Sequence, residues 1–150
     1  DFNRGKGPQI HDFNGLKVGS QICYESLFPF FSKQLSDLGA EVFVNVTNDS
    51  WFGRYQEPFQ HLYMTLARAI EFRRPIIRST NTGISTVALA NGKILKKSPL
   101  HQEWHYTFSV PYVKNPQPTF YQRFFWLIPG LNLAFILLLL GYHIIKRKFS

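Results

Sequence analysis

One cysteine, one methionine and nine acidic residues are all that this 150-residue chain holds of those types. A lone thiol excludes an internal disulfide framework. Seventeen Lys and Arg against nine Asp and Glu leave a formal charge of +8. The basic residues are scattered, however, and the one dense cluster, Lys146-Arg147-Lys148, directly follows an apolar run. That arrangement points to a membrane surface and away from nucleic acid. No cluster of His, Cys, Asp and Glu has metal-ligand spacing and no Gly-rich phosphate loop is present, so no metal or other cofactor is expected. Internal repeats and low-complexity tracts are also missing. The chain opens on Asp1-Phe2-Asn3-Arg4-Gly5-Lys6-Gly7-Pro8, without an initiator methionine or a signal peptide, and is expected to come from the middle of a longer protein. What is abundant is aromatic: fifteen Phe, seven Tyr and three Trp, a composition suited to a globular body that touches lipid.

Residues 1–15 read as loop, with Asn14-Gly15 as a hairpin turn into a strand over 16–23. Apolar residues at Leu27, Phe28, Phe31, Leu35 and Leu38 have helical spacing, closed by Gly39. The β-branched run 41–47 predicts a central strand, and strand–helix–strand order implies parallel neighbours in an α/β sheet. Pro58 opens a second helix to Arg73, with Phe59, Leu62, Tyr63, Leu66, Ala69 and Ile70 as its apolar stripe and Arg68 and Glu71 opposite. Strands are expected over 75–81 and 85–90, then a hairpin at Asn91-Gly92 and a last β-like stretch over 104–113. Two prolines, Pro116 and Pro118, mark a linker.

Residues 124–145 carry no formal charge and are long enough, at about 1.5 Å per residue, to cross a hydrocarbon core of roughly 30 Å as one transmembrane helix. Tyr121, Trp126 and Tyr142 sit where interfacial belts belong, and the basic tail at 146–150 is expected to stay cytoplasmic, with the preceding domain across the membrane. The organisation read from the sequence is thus a domain over 1–113, a linker over 114–123, a membrane span over 124–145 and the tail.

Cys23 stands where the first strand stops, between Ile22 and Tyr24-Glu25. A thiol at a strand end can act as a nucleophile, or it can be a small buried hydrophobe. A nucleophile needs a base, and the candidates are Glu25, Glu71, His11 and His61. Nothing in the spacing brings either histidine to Cys23, and Glu25 is too near along the strand to reach back easily. A second candidate segment is the polar and aromatic loop Asn48-Asp49-Ser50-Trp51-Phe52-Gly53, which leaves the carboxyl end of a strand, where open α/β sheets place ligands.

Four blocks in order, Ile22-Cys23-Tyr24-Glu25, then Val46 to Gly53, Gln60-His61 leading to Pro75, and Arg78 to Ser85, followed by the terminal apolar helix, resemble the carboxyl-terminal half of the apolipoprotein N-acyltransferases. These are membrane-embedded members of the nitrilase (carbon-nitrogen hydrolase) superfamily. The resemblance implies part of a nitrilase-like α-β-β-α sandwich on the periplasmic side of a bacterial inner membrane. It implies a phospholipid as acyl donor, a thioester on Cys23, and the terminal amine of a diacylglyceryl-cysteine apolipoprotein as acceptor. It makes Tyr24 and Glu25 necessary beside the catalytic Cys23, and places Trp51, Phe52 and Asn48 against substrate. The family's Glu base and Lys precede its cysteine, and nothing before Cys23 fits them, with Lys6 in a Gly-rich loop and Lys17 in the strand. The chain is therefore expected to be an inactive fragment.

Arg68, Glu71, Arg74 and Arg78 are expected to form a structural ion-pair network beneath the site, and Asn81-Thr82-Gly83 a tight turn. Two other readings share part of the pattern: a soluble nitrilase-type amidase half-domain, and a non-catalytic tail-anchored module that binds lipid or a partner.

Overall fold

The computed structural model describes residues 5–149; the expected loop at 1–4 and the last residue of the tail lie outside the described residues. The chain divides into two compact units, Asp1–Thr119 and Phe120–Ser150. The first is built on a five-stranded sheet in sequential order, β1 (Ile10–Phe13), β2 (Leu16–Ile22), β3 (Val42–Thr47), β4 (Ile76–Thr80) and β5 (Thr86–Ala88). The central pairs β2–β3 and β3–β4 are parallel, as the strand–helix–strand order requires, and β1 and β5 are antiparallel edges. Strand β1 corrects the expectation of loop up to residue 15. The Asn14-Gly15 turn is present, with φ of 52° and 86°, and an edge strand needs only one partner, so the polar sequence before the turn pairs with β2.

Helices α1 (Pro29–Asp37) and α2 (Glu57–Phe72) make the two crossovers. Gly39, at φ 92°, stops the first as expected. The helix begins at Pro29 and not at Leu27, because Cys23–Leu27 forms a 3₁₀ turn. Residues in register across the sheet, Gly19, Phe43 and Ile76, then Gln21, Asn45 and Arg78, point to these helices: Gln21 Nε2 donates to Ser32 on α1 at 2.7 Å, and Phe43 meets Phe72 of α2 edge-on at 6.3 Å. The alternate set, Ile22, Val44 and Val46, faces away, and Ile22 and Val46 are exposed.

The buried face of α2 differs from the expected stripe. Leu62, Leu66, Ala69 and Phe72 are buried, but so are His61, Thr65 and Arg68, while Phe59, Tyr63 and Ile70 are exposed. Polar residues occupy the inner face because each finds a hydrogen-bond partner there, which a hydropathy pattern does not register.

Residues 104–113 form no strand. The rings of Trp104, Tyr106 and Phe108 meet at alternate positions, 5.7 Å and 4.9 Å apart, as on an extended backbone, but a strand also needs a ladder partner and this segment has none among the described residues.

The second unit contains α3 (Phe120–Arg123) and α4 (Leu127–Phe149). The long helix starts three residues later than the apolar run because Pro129 is tolerated only in a first turn. Within Leu127–Arg147 an 18-residue window reaches a mean hydropathy of 1.9, so among the described residues one helix is long and apolar enough to span a membrane.

Candidate functional site around Cys23

Strand β2 ends at Ile22, and Cys23 turns the chain with φ of 51°. Left-handed backbone is uncommon for a residue with a Cβ and concentrates at functional positions. The turn is held at several points. Glu25 Oε2 accepts from the Ile22 N–H at 2.7 Å, closing a ring across the cysteine. The Cys23 carbonyl accepts from Ser26 Oγ at 3.1 Å and from Asn45 Nδ2 at 3.0 Å. Cys23 itself is half-buried.

Asn45 belongs to a buried polar chain. Its Oδ1 accepts from Arg78 Nη1 at 2.6 Å, and Arg78 Nη2 donates to Asp49 Oδ2 at 2.8 Å. The other Asp49 oxygen accepts from Thr47 Oγ1 at 3.1 Å and meets His61 Nδ1 at 3.0 Å. The Asp49 and Arg78 side chains have no exposed surface. Burial pushes the Asp49 carboxyl up, but the bond from His61, the Arg78 charge and Thr47 outweigh it and hold the group below its ordinary value. Burial lowers Arg78, partly offset by Asp49. Gly83 lies where a side chain cannot: a Cβ there would stand 2.1 Å from Asp49 Oδ2. The expected turn at 81–83 is thus also a close approach, and the Asn81 amide stitches it to the next loop by accepting from the Asp49 N–H at 3.0 Å and donating to Asn48 Oδ1 at 2.6 Å.

The expected four-member ion-pair network separates into distinct parts. Arg68 Nη2 pairs with Glu71 at 2.6 Å and Nη1 donates to the Leu27 carbonyl. Arg74, lowered to about 10 by burial with the Asp37 charge opposing, donates to the carbonyls of Ala40, Phe72 and Ser36, which ties the carboxyl ends of both crossover helices together. Arg78 pairs with Asp49, a residue that sequence reasoning saw only as part of a loop. Asn45 was missed as well, since one polar residue in a β-branched strand carries no signal of its role beyond being out of place.

Tyr24 is 40% exposed, donates to Glu57 Oε1 at 3.2 Å, and packs on His61 at 4.8 Å and Phe52 at 5.8 Å between ring centroids. Its hydroxyl is pushed above the ordinary tyrosine value by desolvation and by the Glu57 carboxylate. The structure therefore brings Cys23, Tyr24, Glu25 and Phe52 together. Trp51, 83% exposed, projects from the same loop, and Asn48 accepts from Ser50 within it. His61 is buried, with Nδ1 on Asp49, and Glu71 is engaged by Arg68 at 2.6 Å. A hollow of about 260 Å³ is lined by Glu25, Ile22, Ser20, His11 and Lys6, so His11 and Lys6 lie on the Glu25 side of the turn. A second, open groove of about 610 Å³ is apolar, lined by Tyr55, Phe59, Tyr63 and Met64 along α2. Among the described residues no group of acidic, His and Cys side chains could hold a metal.

Comparison with known proteins agrees with this geometry. The model of the carbon-nitrogen hydrolase family matches residues 2–107. Over 125 residues the chain is 56% identical to the apolipoprotein N-acyltransferase of Bdellovibrio bacteriovorus, covering 81% of this chain and 23% of that protein. Over 148 residues it is 34% identical to the apolipoprotein N-acyltransferase of Rickettsia bellii, covering 98% and 29%. The chain thus spans less than a third of the length of either relative. Among solved structures it is similar to an amidase from Nesterenkonia sp., with a TM-score of 0.55 at 18% identity over 67% of this chain and 40% of that one, and to a variant of that amidase with acrylamide added at its active-site cysteine, with a TM-score of 0.53; at such identity the likeness concerns the fold. By the family match over most of its length, and with curated relatives that are apolipoprotein N-acyltransferases, the chain belongs to the carbon-nitrogen hydrolase family.

Proposed function

We propose that this chain is the nucleophile-bearing part of an apolipoprotein N-acyltransferase, with Cys23 as the nucleophile. The observation that carries the reading is the position of the chain's only thiol, half-exposed in a left-handed turn at the carboxyl end of a parallel strand, within a chain 56% identical to such an enzyme. In the first step the Cys23 sulfur attacks the ester carbonyl of a phospholipid. The S–C bond forms, the C–O bond to glycerol breaks, and the lysophospholipid leaves with a proton on its oxygen. In the second step the amine of the diacylglyceryl-cysteine of an apolipoprotein attacks the thioester carbon. The N–C bond forms, the C–S bond breaks, and the amine's proton returns to the thiol. A thioester suits this traffic because it holds an acyl group that an amine readily takes.

Glu25 supports the step by fixing the backbone across Cys23, and Tyr24 by packing between the turn and α2. Trp51 and Phe52, with the apolar groove on α2, offer surface for acyl chains, and Asn48 orders their loop. Residues 1–113 form the catalytic part, 114–123 the linker, 124–145 the membrane span and 146–150 a cytoplasmic tail, which puts the site on the periplasmic face of a bacterial inner membrane. The base and the oxyanion-stabilising lysine come from other parts of the protein.

Incubation of the full-length protein with a phospholipid carrying a fluorescent acyl chain should leave a base-labile adduct that vanishes in Cys23→Ala. The isolated 150 residues should form none. An adduct that persists in Cys23→Ala refutes the assignment.

A further inference from the structure

The turn at Cys23 is anchored from beneath by a side chain whose orientation is not free. Asn45 presents an oxygen on one side of its amide and a nitrogen on the other, and Arg78 possesses only donors. Because Arg78 Nη1 lies 2.6 Å from Asn45 Oδ1, the Asn45 nitrogen must face the opposite way. There it donates to the Cys23 carbonyl at 3.0 Å and reaches the Gln21 carbonyl at 3.3 Å, the two carbonyls that bracket the end of β2. Asp49 in turn holds Arg78, with Thr47 and His61 on its other oxygen. Ser26 Oγ supplies the second donor on the Cys23 carbonyl and is itself fixed against Thr65 Oγ1 at 2.9 Å. Asn45 and Ser26 are both buried, so water does not compete for these bonds.

We infer that Asn45, oriented by the Arg78–Asp49 pair, and Ser26 are positioning residues that hold Cys23 in its left-handed conformation and thereby aim its sulfur at the acyl carbonyl. The inference rests on Cys23 being the nucleophile. Its physical basis is that a turn of one residue sets the direction of the Cys23 Cα–Cβ bond, and a reacting atom displaced by about 1 Å loses on the order of 100-fold in rate.

The test uses the full-length protein in detergent micelles with a phospholipid bearing a fluorescent acyl chain, and counts Cys23 thiols by iodoacetamide labelling. Asn45→Asp keeps an acceptor towards Arg78 but sets a carboxylate oxygen against the two carbonyls. The rate of adduct formation per alkylatable thiol should fall about 100-fold, with the phospholipid concentration for half-maximal rate within about twofold of wild type. A wild-type rate per thiol, with only a lower Tm or fewer thiols, is what a merely structural role gives, and it would overturn the inference. Ser26→Ala removes the other donor and should cost about tenfold by the same measure. An unchanged rate there overturns the anchoring even if Asn45→Asp does not accumulate. Adduct remaining in Cys23→Ala is a different result, removing the nucleophile assignment on which the inference stands.

Discussion

Asp49 and Glu71 each sit beside an arginine, and their surroundings push them in opposite directions. The Asp49 carboxyl is held low by its bonds despite burial, whereas burial lifts Glu71 by more than Arg68 at 2.6 Å lowers it. A depressed carboxyl stabilises the fold above its unfolded value, near pH 4, and that contribution is lost as pH falls through the folded value. A raised carboxyl contributes fully below its unfolded value, and the contribution is lost as pH rises through the folded one. At pH 7, Asp49→Asn should therefore cost about 3–5 kcal/mol, because it leaves Arg78 buried without its charge partner, and the variant's stability should fall less steeply in acid. Glu71→Gln should cost less than Asp49→Asn, because burial already disfavours the Glu71 charge and an amide oxygen can still accept from Arg68. Urea unfolding across pH measures both, and equal losses at pH 7 would contradict the contrast. Of these residues, Cys23, Tyr24 and Glu25 were legible as a block in the sequence. Asn45 and Arg78 were not legible as partners, because their contact spans 33 positions and depends on strand register.

At the scale of elements, strands and helices follow from periodicity and stops. Gly39 and Pro75 end helices where expected, and β2, β3 and β4 lie within the strands predicted over 16–23, 41–47 and 75–81. What periodicity misread was the inner face of α2, where polar side chains bury because Asp49, Ser26, Arg78 and the Leu27 carbonyl offer them partners. Close packing is decided at Gly19, where a Cβ would meet Ala40, Leu35 and Phe43 at 3.1–3.2 Å. Gly19→Val should cost about 1–3 kcal/mol through overpacking of α1 on the sheet, read by thermal unfolding. A neutral result would mean that the helix yields freely.

At the scale of the molecule, the helices cover one face of the sheet and leave the other with Ile22 69% and Val46 55% exposed. An apolar sheet face of this kind is completed by a second layer in an α-β-β-α sandwich. Val46→Lys should therefore be nearly silent in the isolated 150 residues, and should lower stability by several kcal/mol in the full-length protein, where it buries an unpaired charge. Parallel unfolding measurements on the two proteins decide the point, and equal effects would place this face in solvent in both.

The sequence by itself determined the strand–helix–strand order, the left-handed stops, the terminal apolar helix and the block around the lone thiol, because each is written in residues close together along the chain. Only the tertiary structure decided that Asn45, Arg78, Asp49 and His61 lie in one buried chain beneath that thiol. Parallel register sets residues 21, 45 and 78 side by side, and the direction in which a buried amide donates is fixed by the partner that folding brings to it.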